Sequence, residues 1–88
     1  MNTFLLAVST PDGDVFREEV CCISVRGVEG DLAVMAGHIP FVTYVKEGIC
    51  HITDSDGKVT TAQTAGGLIT VGKDVTRFLP TAFTFENE

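Results

Sequence analysis

The chain has 88 residues, with twelve acidic and six basic side chains and a formal net charge of −6 at pH 7. This length fits one domain with a single hydrophobic core, which we place over residues 1–88. The apolar fraction of 44% is too high for intrinsic disorder. The sequence contains no cluster of Lys or Arg, so it lacks the basic surface that nucleic-acid binding requires.

Cysteine content and hydropathy favour an intracellular protein. The three cysteines, Cys21, Cys22 and Cys50, are an odd number and cannot all pair with one another in disulfides. The N-terminal residues do not resemble a signal peptide, so we expect a reducing, cytoplasmic compartment. The longest apolar runs, such as residues 4–8, are far shorter than the ~20 residues needed to span a bilayer. We therefore expect any membrane contact to be indirect.

Short segments rich in β-branched and aromatic residues alternate with turn signals along the chain, which is the pattern of an all-β protein. The predicted strands cover residues 3–9, 14–26 (which a bend could divide), 30–35, 41–46, 48–53, 58–65, 68–71, 75–79 and 82–85. These strands cannot form one flat sheet, because strands twist and each must bury one face. We therefore predict a two-sheet β-sandwich, or flattened barrel, of about nine or ten short strands.

Turn residues separate the strands at specific points. The sequence PDG at residues 11–13 predicts a turn in which Gly13 adopts a positive φ, and DSDG at residues 54–57 predicts a hairpin turn. Gly66 and Gly67 lie between two strand-like stretches. A β-bulge or the close approach of another backbone explains them better than a phosphate-binding loop.

Strand alternation assigns side chains to faces. In the second strand, Cys21 should share the inner face with Ile23, and Cys22 should lie nearer to solvent. In the fifth strand, Cys50 should share a face with Ile52, with the preceding side chain on the opposite face.

The chain contains residue types found in metal sites and nucleophilic centres, but their spacing suits neither. The candidate zinc ligands are the adjacent pairs Cys21-Cys22 and Cys50-His51, with His38 as a further ligand. Adjacent residues of a strand point to opposite faces, whereas structural zinc sites use ligands two to four residues apart. The sequence also lacks a nucleophile on a glycine elbow and a glycine-rich loop before a helix. We therefore predict no metal, no cofactor and no catalytic residue.

Residues 29–40 (EGDLAVMAGHIP) form the most informative segment, because acidic, small and apolar residues are mixed with two glycines and a proline. His38 should lie on a tight turn held by its glycine and proline neighbours. Two interpretations remain open: His38 caps the turn through a local hydrogen bond, or the segment is a rigid contact loop. Glu29 and Asp31 have the same parity, so they offer two carboxylates on one side if the segment is extended there.

These motifs resemble the N-terminal β-sandwich domain of the epsilon subunit of F-type ATP synthase, whose mitochondrial equivalent is called delta. The family's acidic, Gly-His-x-Pro and Lys-x-Gly motifs are matched by residues 29–33 (EGDLA), 37–40 (GHIP) and 46–48 (KEG). Ala33 stands where the family usually has glycine. Family members continue into a C-terminal helical hairpin, which these 88 residues lack, so we expect no inhibitory or ATP-sensing role here.

The resemblance implies a non-catalytic rotor subunit in the central stalk of a proton- or sodium-translocating synthase, at the cytoplasmic face of the bacterial membrane. Its partners would be the gamma subunit and the c ring. By position in the motif, Asp31 would face the ring, His38 and Thr43 would face gamma, and Thr10 would lie nearby. The full set of predicted partner-binding residues is Thr10, Glu29, Asp31, His38, Ile39, Pro40 and Thr43.

Two other functions compete with this interpretation. One is a stand-alone β-sandwich that self-associates through exposed strand edges. The other is a small enzyme or metal protein that uses His38, His51 and the cysteines, which the spacing of adjacent ligands disfavours.

Overall fold

The computed structural model describes residues 2–37 and 39–86, and every regular element in that part of the chain is a strand. The strands are β1 (Phe4–Thr10), β2 (Gly13–Gly27), β3 (Gly30–Met35), β4 (Phe41–Val45), β5 (Gly48–Asp54), β6 (Val59–Thr64), β7 (Gly67–Val71), β8 (Val75–Pro80) and β9 (Phe83–Phe85). Each strand that the sequence predicts is present, and each end lies within one residue of its predicted position.

The strands form two layers that share β2. Sheet I contains the first half of β2, followed by β1, β8, β7 and β4, with β1 parallel to β8. Sheet II contains β3, the second half of β2, β5, β6 and β9. A bridge between Gly27 and Val45, and a 2.7 Å bond from the Lys46 amide to the carbonyl of Arg26, join the two sheets at the β4 corner. The predicted two-sheet sandwich is confirmed.

A β-bulge bends β2 where it passes between the sheets. Val20 pairs with Asp54, and Cys22 pairs with the preceding residue of β5, Thr53, so Cys21 is inserted between two paired positions. The inserted residue interrupts the alternation of faces. Cys21 is consequently half-buried, like Cys22, and the prediction that it lies in the core is wrong.

The core lies between the inner faces of the two sheets. Its buried side chains are Leu6, Val8, Val20, Ile23, Val25, Val34, Val45, Cys50, Ile52, Ile69, Val71 and Phe78. Cys50 and Ile52 are both buried, whereas Ile49 is exposed, so the predicted faces of β5 are correct. No helix in the described ranges is long and apolar enough to cross a membrane.

Two glycine positions agree with the predictions, one in the hairpin turn between β5 and β6 and one at the start of β7. In the hairpin between β5 and β6, the backbone amides of Asp56 and Lys58 each donate to Oδ1 of Asp54 at 2.9 Å, and Gly57 has a φ of +87°. At the start of β7, a side chain on Gly67 would collide with the carbonyl oxygen of Leu79. Gly67 is therefore required by the close approach of β8, as the sequence indicates.

Candidate partner-binding surfaces

An open cleft between the edges of β3 and β4 brings three predicted site residues together. Glu29, Asp31 and Thr43 line it, with an apolar wall that includes Leu32 and Phe41. Its volume is about 380 Å³. On this side β3 carries no hydrogen-bonded neighbour among the described strands, since its ladder runs to β2 alone. The cleft thus combines carboxylates, apolar surface and an open strand edge.

The two carboxylates reach the cleft from different local structures. Asp31 lies in β3, is exposed and pairs across the ladder with Arg26. Glu29 belongs to the turn between β2 and β3, which Gly30 completes with a φ of +127°. The chain forms a turn at Glu29, so the extended segment on which the shared side of Glu29 and Asp31 depends is not present. Glu29 lines the cleft from the turn, and Asp31 lines it from the strand.

The two threonines of the predicted site are far apart. Thr43 lies in β4 and is half-buried beside the cleft. Thr10 ends β1, which is separated from β4 by β8 and β7, a lateral distance of about 14 Å at the usual strand spacing. The Thr10 hydroxyl accepts a hydrogen bond from the Asp12 amide at 3.2 Å and donates to the carbonyl of Gly13 at 3.4 Å. It therefore stabilises its own hairpin, and its contact with a partner stays a prediction.

The loop between β3 and β4 exposes apolar surface. Ile39 is 82% exposed, Pro40 is exposed, and the neighbouring Met35 is 53% exposed. Together with Ala36 and Gly37, Ile39 and Met35 line a shallow depression. His38 lies outside the described residues, so both interpretations of its role stay open.

Sequence reasoning missed a second surface, on the outer face of sheet I. Tyr44 of β4 pairs with Leu68 of β7, which pairs with Leu79 of β8, so the three side chains form one row across three strands. Their exposed fractions are 55%, 43% and 44%, and Val42, two residues from Tyr44 on the same face, is 61% exposed. We call Val42, Tyr44, Leu68 and Leu79 the apolar patch. Contiguous exposed apolar surface of this kind marks an interaction site.

A signal for this patch is present in the sequence. β4 reads FVTYV, in which large apolar residues occur at both parities, and β7 reads GLITV with the same property. A strand with one solvated face alternates apolar and polar residues, whereas a strand covered on both faces does not. Both strands therefore have the composition of strands that are buried on both sides, although their outer faces are exposed here.

The described residues do not bring together the usual His, Cys, Asp and Glu ligands of a metal site. In residues 2–37 and 39–86, no three or more His, Cys, Asp or Glu side chains are grouped so that they could hold a metal ion. Buried polar side-chain atoms in the same ranges all have hydrogen-bond partners. Cys50 lies in the core, where burial raises the pKa of its thiol to about 12. Protonated and enclosed, this thiol is a packing side chain and not a nucleophile.

Comparison with known proteins is consistent with this architecture. Residues 3–85 match the family model of the ATP synthase delta/epsilon chain β-sandwich domain. The ATP synthase epsilon chain of Bacillus velezensis is 35% identical over 82 residues, which cover 93% of this chain and 61% of the relative. The chain therefore spans less than two thirds of the length of this curated relative.

Two solved structures share the fold. A chain in the cryo-EM structure of the Euglena gracilis mitochondrial ATP synthase, OSCP/F1/c-ring, superposes with a TM-score of 0.89 at 25% identity, covering 94% of this chain and 53% of that one. A chain in the central stalk/c-ring structure of Tetrahymena thermophila mitochondrial ATP synthase gives a TM-score of 0.78 at 12% identity, with 93% and 66% covered, and this likeness concerns the fold alone.

The family match extends over nearly the whole chain and agrees with the nine-stranded sandwich described above. The delta/epsilon chain is a non-catalytic stalk subunit of ATP synthase. The chain belongs to the family of ATP synthase delta/epsilon chain β-sandwich domains.

Proposed function

We propose that the chain is a rotor subunit in the central stalk of an F-type ATP synthase, where it joins the gamma subunit to the c ring. In this role it transmits rotation driven by proton or sodium flow to the catalytic head. It works at the cytoplasmic face of the bacterial membrane and touches the membrane only through the complex. Membership of the delta/epsilon family supports this proposal.

The observation that carries the proposal is the apolar patch. Four large apolar side chains on one flat sheet face are exposed, although the domain has a complete core of its own. Burial of such a surface contributes about 25 cal/mol per Å² of apolar area removed from water, and association supplies this burial. We assign the patch to gamma, because a rotor joint must resist torque and a dry, packed contact holds its register.

The acidic cleft suits a different contact. Glu29, in the turn before β3, and Asp31, in β3, are both exposed, and the charge of the whole chain is negative. Exposed carboxylates favour partners with basic and amide groups, and they set register and association rate more than affinity. We therefore assign Glu29 and Asp31 to the polar loops of the c ring. Ile39 and Pro40, on the adjoining loop, provide apolar contact, and Thr43 lies where the cleft meets the patch-bearing strand β4.

The first test compares charge insertions on the two outer sheet faces. We expect Leu68→Asp to weaken gamma binding at least 100-fold, about 2.7 kcal/mol, because it places a carboxylate at the centre of a desolvated contact. The matched control is Thr61→Asp, an outward position on β6 of sheet II, which should change the dissociation constant less than about twofold. Titration calorimetry with purified gamma gives both constants.

If Leu68→Asp and Thr61→Asp weaken gamma binding equally, and thermal melting shows that both variants are folded, the patch is not part of the interface. Sedimentation of the free chain separates the remaining alternative, self-association. A stable dimer that Leu68→Asp dissociates would mean that a second copy, and not gamma, covers the patch.

The second test concerns the cleft. Asp31→Lys should reduce the association rate of the gamma-bound chain with detergent-solubilised c ring about tenfold at low salt, and the reduction should shrink as salt screens the charges. Asp56→Lys is the matched control, because Asp56 is an exposed carboxylate on the β5–β6 hairpin turn, away from the cleft. A similar rate loss in both variants would show a net-charge effect in place of a contact at Asp31.

A further inference from the structure

The bulge in β2 changes what its two cysteines can do. Val20 and Ile23 are both fully buried, although residues three apart face opposite sides of an unbroken strand. Because one residue is inserted between them, Val20 and Ile23 can both face the core. The two residues between, Cys21 and Cys22, lie toward the outer side of sheet II. Adjacent thiols that a regular strand would separate are thus on one side.

The two thiols are near each other and partly open to solvent. Cys21 and Cys22 are both half-buried. As consecutive residues, their Cα atoms are about 3.8 Å apart.

A third sulfur lies directly across the ladder. Cys22 of β2 pairs with Met35 of β3, and Met35 is 53% exposed. Directly opposed side chains of an antiparallel pair have Cβ atoms about 4.5–5.5 Å apart, which a flexible thioether spans easily. Two thiols and one thioether therefore occupy one end of the outer face of sheet II.

We propose that Cys21, Cys22 and Met35 form a binding site for a soft monovalent metal ion of the Cu⁺ class. Thiolate and thioether sulfurs are the ligands that select Cu⁺, and a set of three sulfurs suits its low coordination number. Binding forms two metal–thiolate bonds and one metal–thioether contact and releases the two thiol protons to solvent, with no change in oxidation state. Structural zinc requires four ligands of the nitrogen, oxygen or thiolate type, which this cluster does not supply.

The site is separate from the apolar patch that we assign to gamma. The apolar patch lies on the outer face of sheet I, whereas the sulfur cluster lies on the outer face of sheet II. Metal binding and gamma binding can therefore be measured separately, and failure of one leaves the other standing.

The test is an anaerobic titration of the reduced chain with Cu⁺ in competition with bicinchoninate, a chromophoric Cu⁺ chelator. We expect one Cu⁺ per chain, at least about 100-fold weaker binding in Cys21→Ser and in Cys22→Ser, and about tenfold weaker binding in Met35→Leu. Cys50→Ser is the matched control. It removes a thiol that is buried in the core, so the Cu⁺ affinity of the folded variant should stay within about twofold of the parent.

Alkylation of the unsubstituted chain gives a second readout that does not depend on how the variants fold. Bound Cu⁺ should protect Cys21 and Cys22 from iodoacetamide, as read by mass spectrometry of the peptide that contains both. The proposal is overturned if the chain takes no Cu⁺ from the chelator, if the two thiols are alkylated equally with and without Cu⁺, or if Cys21→Ser and Cys22→Ser bind as well as the parent.

Discussion

The outer faces of the two sheets differ in the side chains they present, although both sheets are built from short strands around the same core. On sheet I the central row is Tyr44, Leu68 and Leu79. On sheet II the corresponding central row is Ser24, His51 and Thr61, in which the hydroxyl of Thr61 lies 3.3 Å from Nδ1 of His51. The central row of sheet I is apolar and exposed, whereas the central row of sheet II is polar.

This difference distinguishes the apolar side chains that the core requires from those that it does not require. The inner faces of both sheets are apolar because the fold requires a core. In its central row, the outer face of sheet II follows the usual rule for a solvated sheet, whereas the central row of sheet I does not. Folding of the isolated domain does not explain the exposed row of sheet I, which is why we assign that row to partner binding.

The largest expected effect is the difference in unfolding free energy between substitutions on the two faces of β8. Phe78 and Leu79 are consecutive residues of β8, the first fully buried and the second 44% exposed. Phe78→Ala should lower the free energy of unfolding by about 3–5 kcal/mol, because it empties the centre of the core. Leu79→Ala should lower it by under about 1 kcal/mol and yet weaken gamma binding. Urea unfolding and calorimetry measure the two quantities.

Because a small domain can unfold completely after loss of a core phenylalanine, Phe78→Leu provides a milder variant, expected to cost under about 1.5 kcal/mol. It should bind gamma as the parent does. If Leu79→Ala proves as destabilising as Phe78→Leu and leaves gamma affinity unchanged, the outer row serves folding and the contrast between the faces fails.

The thiol of Cys50, which faces the core from β5, should make the unfolding free energy depend on pH. Burial raises the pKa of Cys50 from its ordinary value of 9.0 to about 12, so the folded state holds the thiol proton more tightly than the unfolded state. The stabilisation is complete below pH 9.0 and is lost as the pH rises toward about 12. In this window the unfolding free energy of the parent should fall more steeply than that of Cys50→Ala.

The difference in slope is at most about 1.4 kcal/mol per pH unit, the value for one proton. Cys50→Ala is the suitable comparison because other groups that titrate at high pH are common to both proteins. Parallel pH profiles, measured by urea unfolding between pH 8 and pH 11, would mean that the thiol is not enclosed as the structure has it.

The fold could be read from the sequence because turns and strands leave local signals. Proline and glycine at residues 11–13 and the DSDG turn at 54–57 divide the chain where the backbone must reverse, and β-branched residues fill the intervals. The bulge at Cys21 left no such signal. It depends on the path of β2 between two sheets, a property of the assembled sandwich and not of neighbouring residues.

The candidate site was only partly predictable for the same reason. Residues 29–40 carry a local motif, so Glu29 and Asp31 could be singled out, although the motif does not decide between a turn and an extended segment at Glu29. The apolar patch is assembled from β4, β7 and β8, and Tyr44 and Leu79 are 35 positions apart in the chain. Strand order brings these residues together, and a single sequence does not contain strand order.

The smallest expected effect tests whether the outer face of sheet II is energetically neutral. Thr61 and Thr64 belong to β6; Thr61 faces outward beside His51, and Thr64 is buried, with its hydroxyl donating to the carbonyl of Gly48 at 3.3 Å. Thr64→Val should cost about 1 kcal/mol in unfolding free energy, because the carbonyl loses a hydrogen-bond donor in a part-buried setting. Thr61→Val should change it by less than about 0.5 kcal/mol, since its hydrogen bond to His51 is exposed and water takes the place of the hydroxyl.

Urea unfolding of the two isosteric variants gives both values, and the thermal midpoint provides an independent check. The same substitution at two positions of β6 thus compares how much the inner and outer faces of sheet II contribute to the unfolding free energy. If Thr61→Val costs as much as Thr64→Val, the outer polar row contributes to stability as a network. The face would then be a structural element, and its difference from the apolar patch could no longer be attributed to partner binding alone.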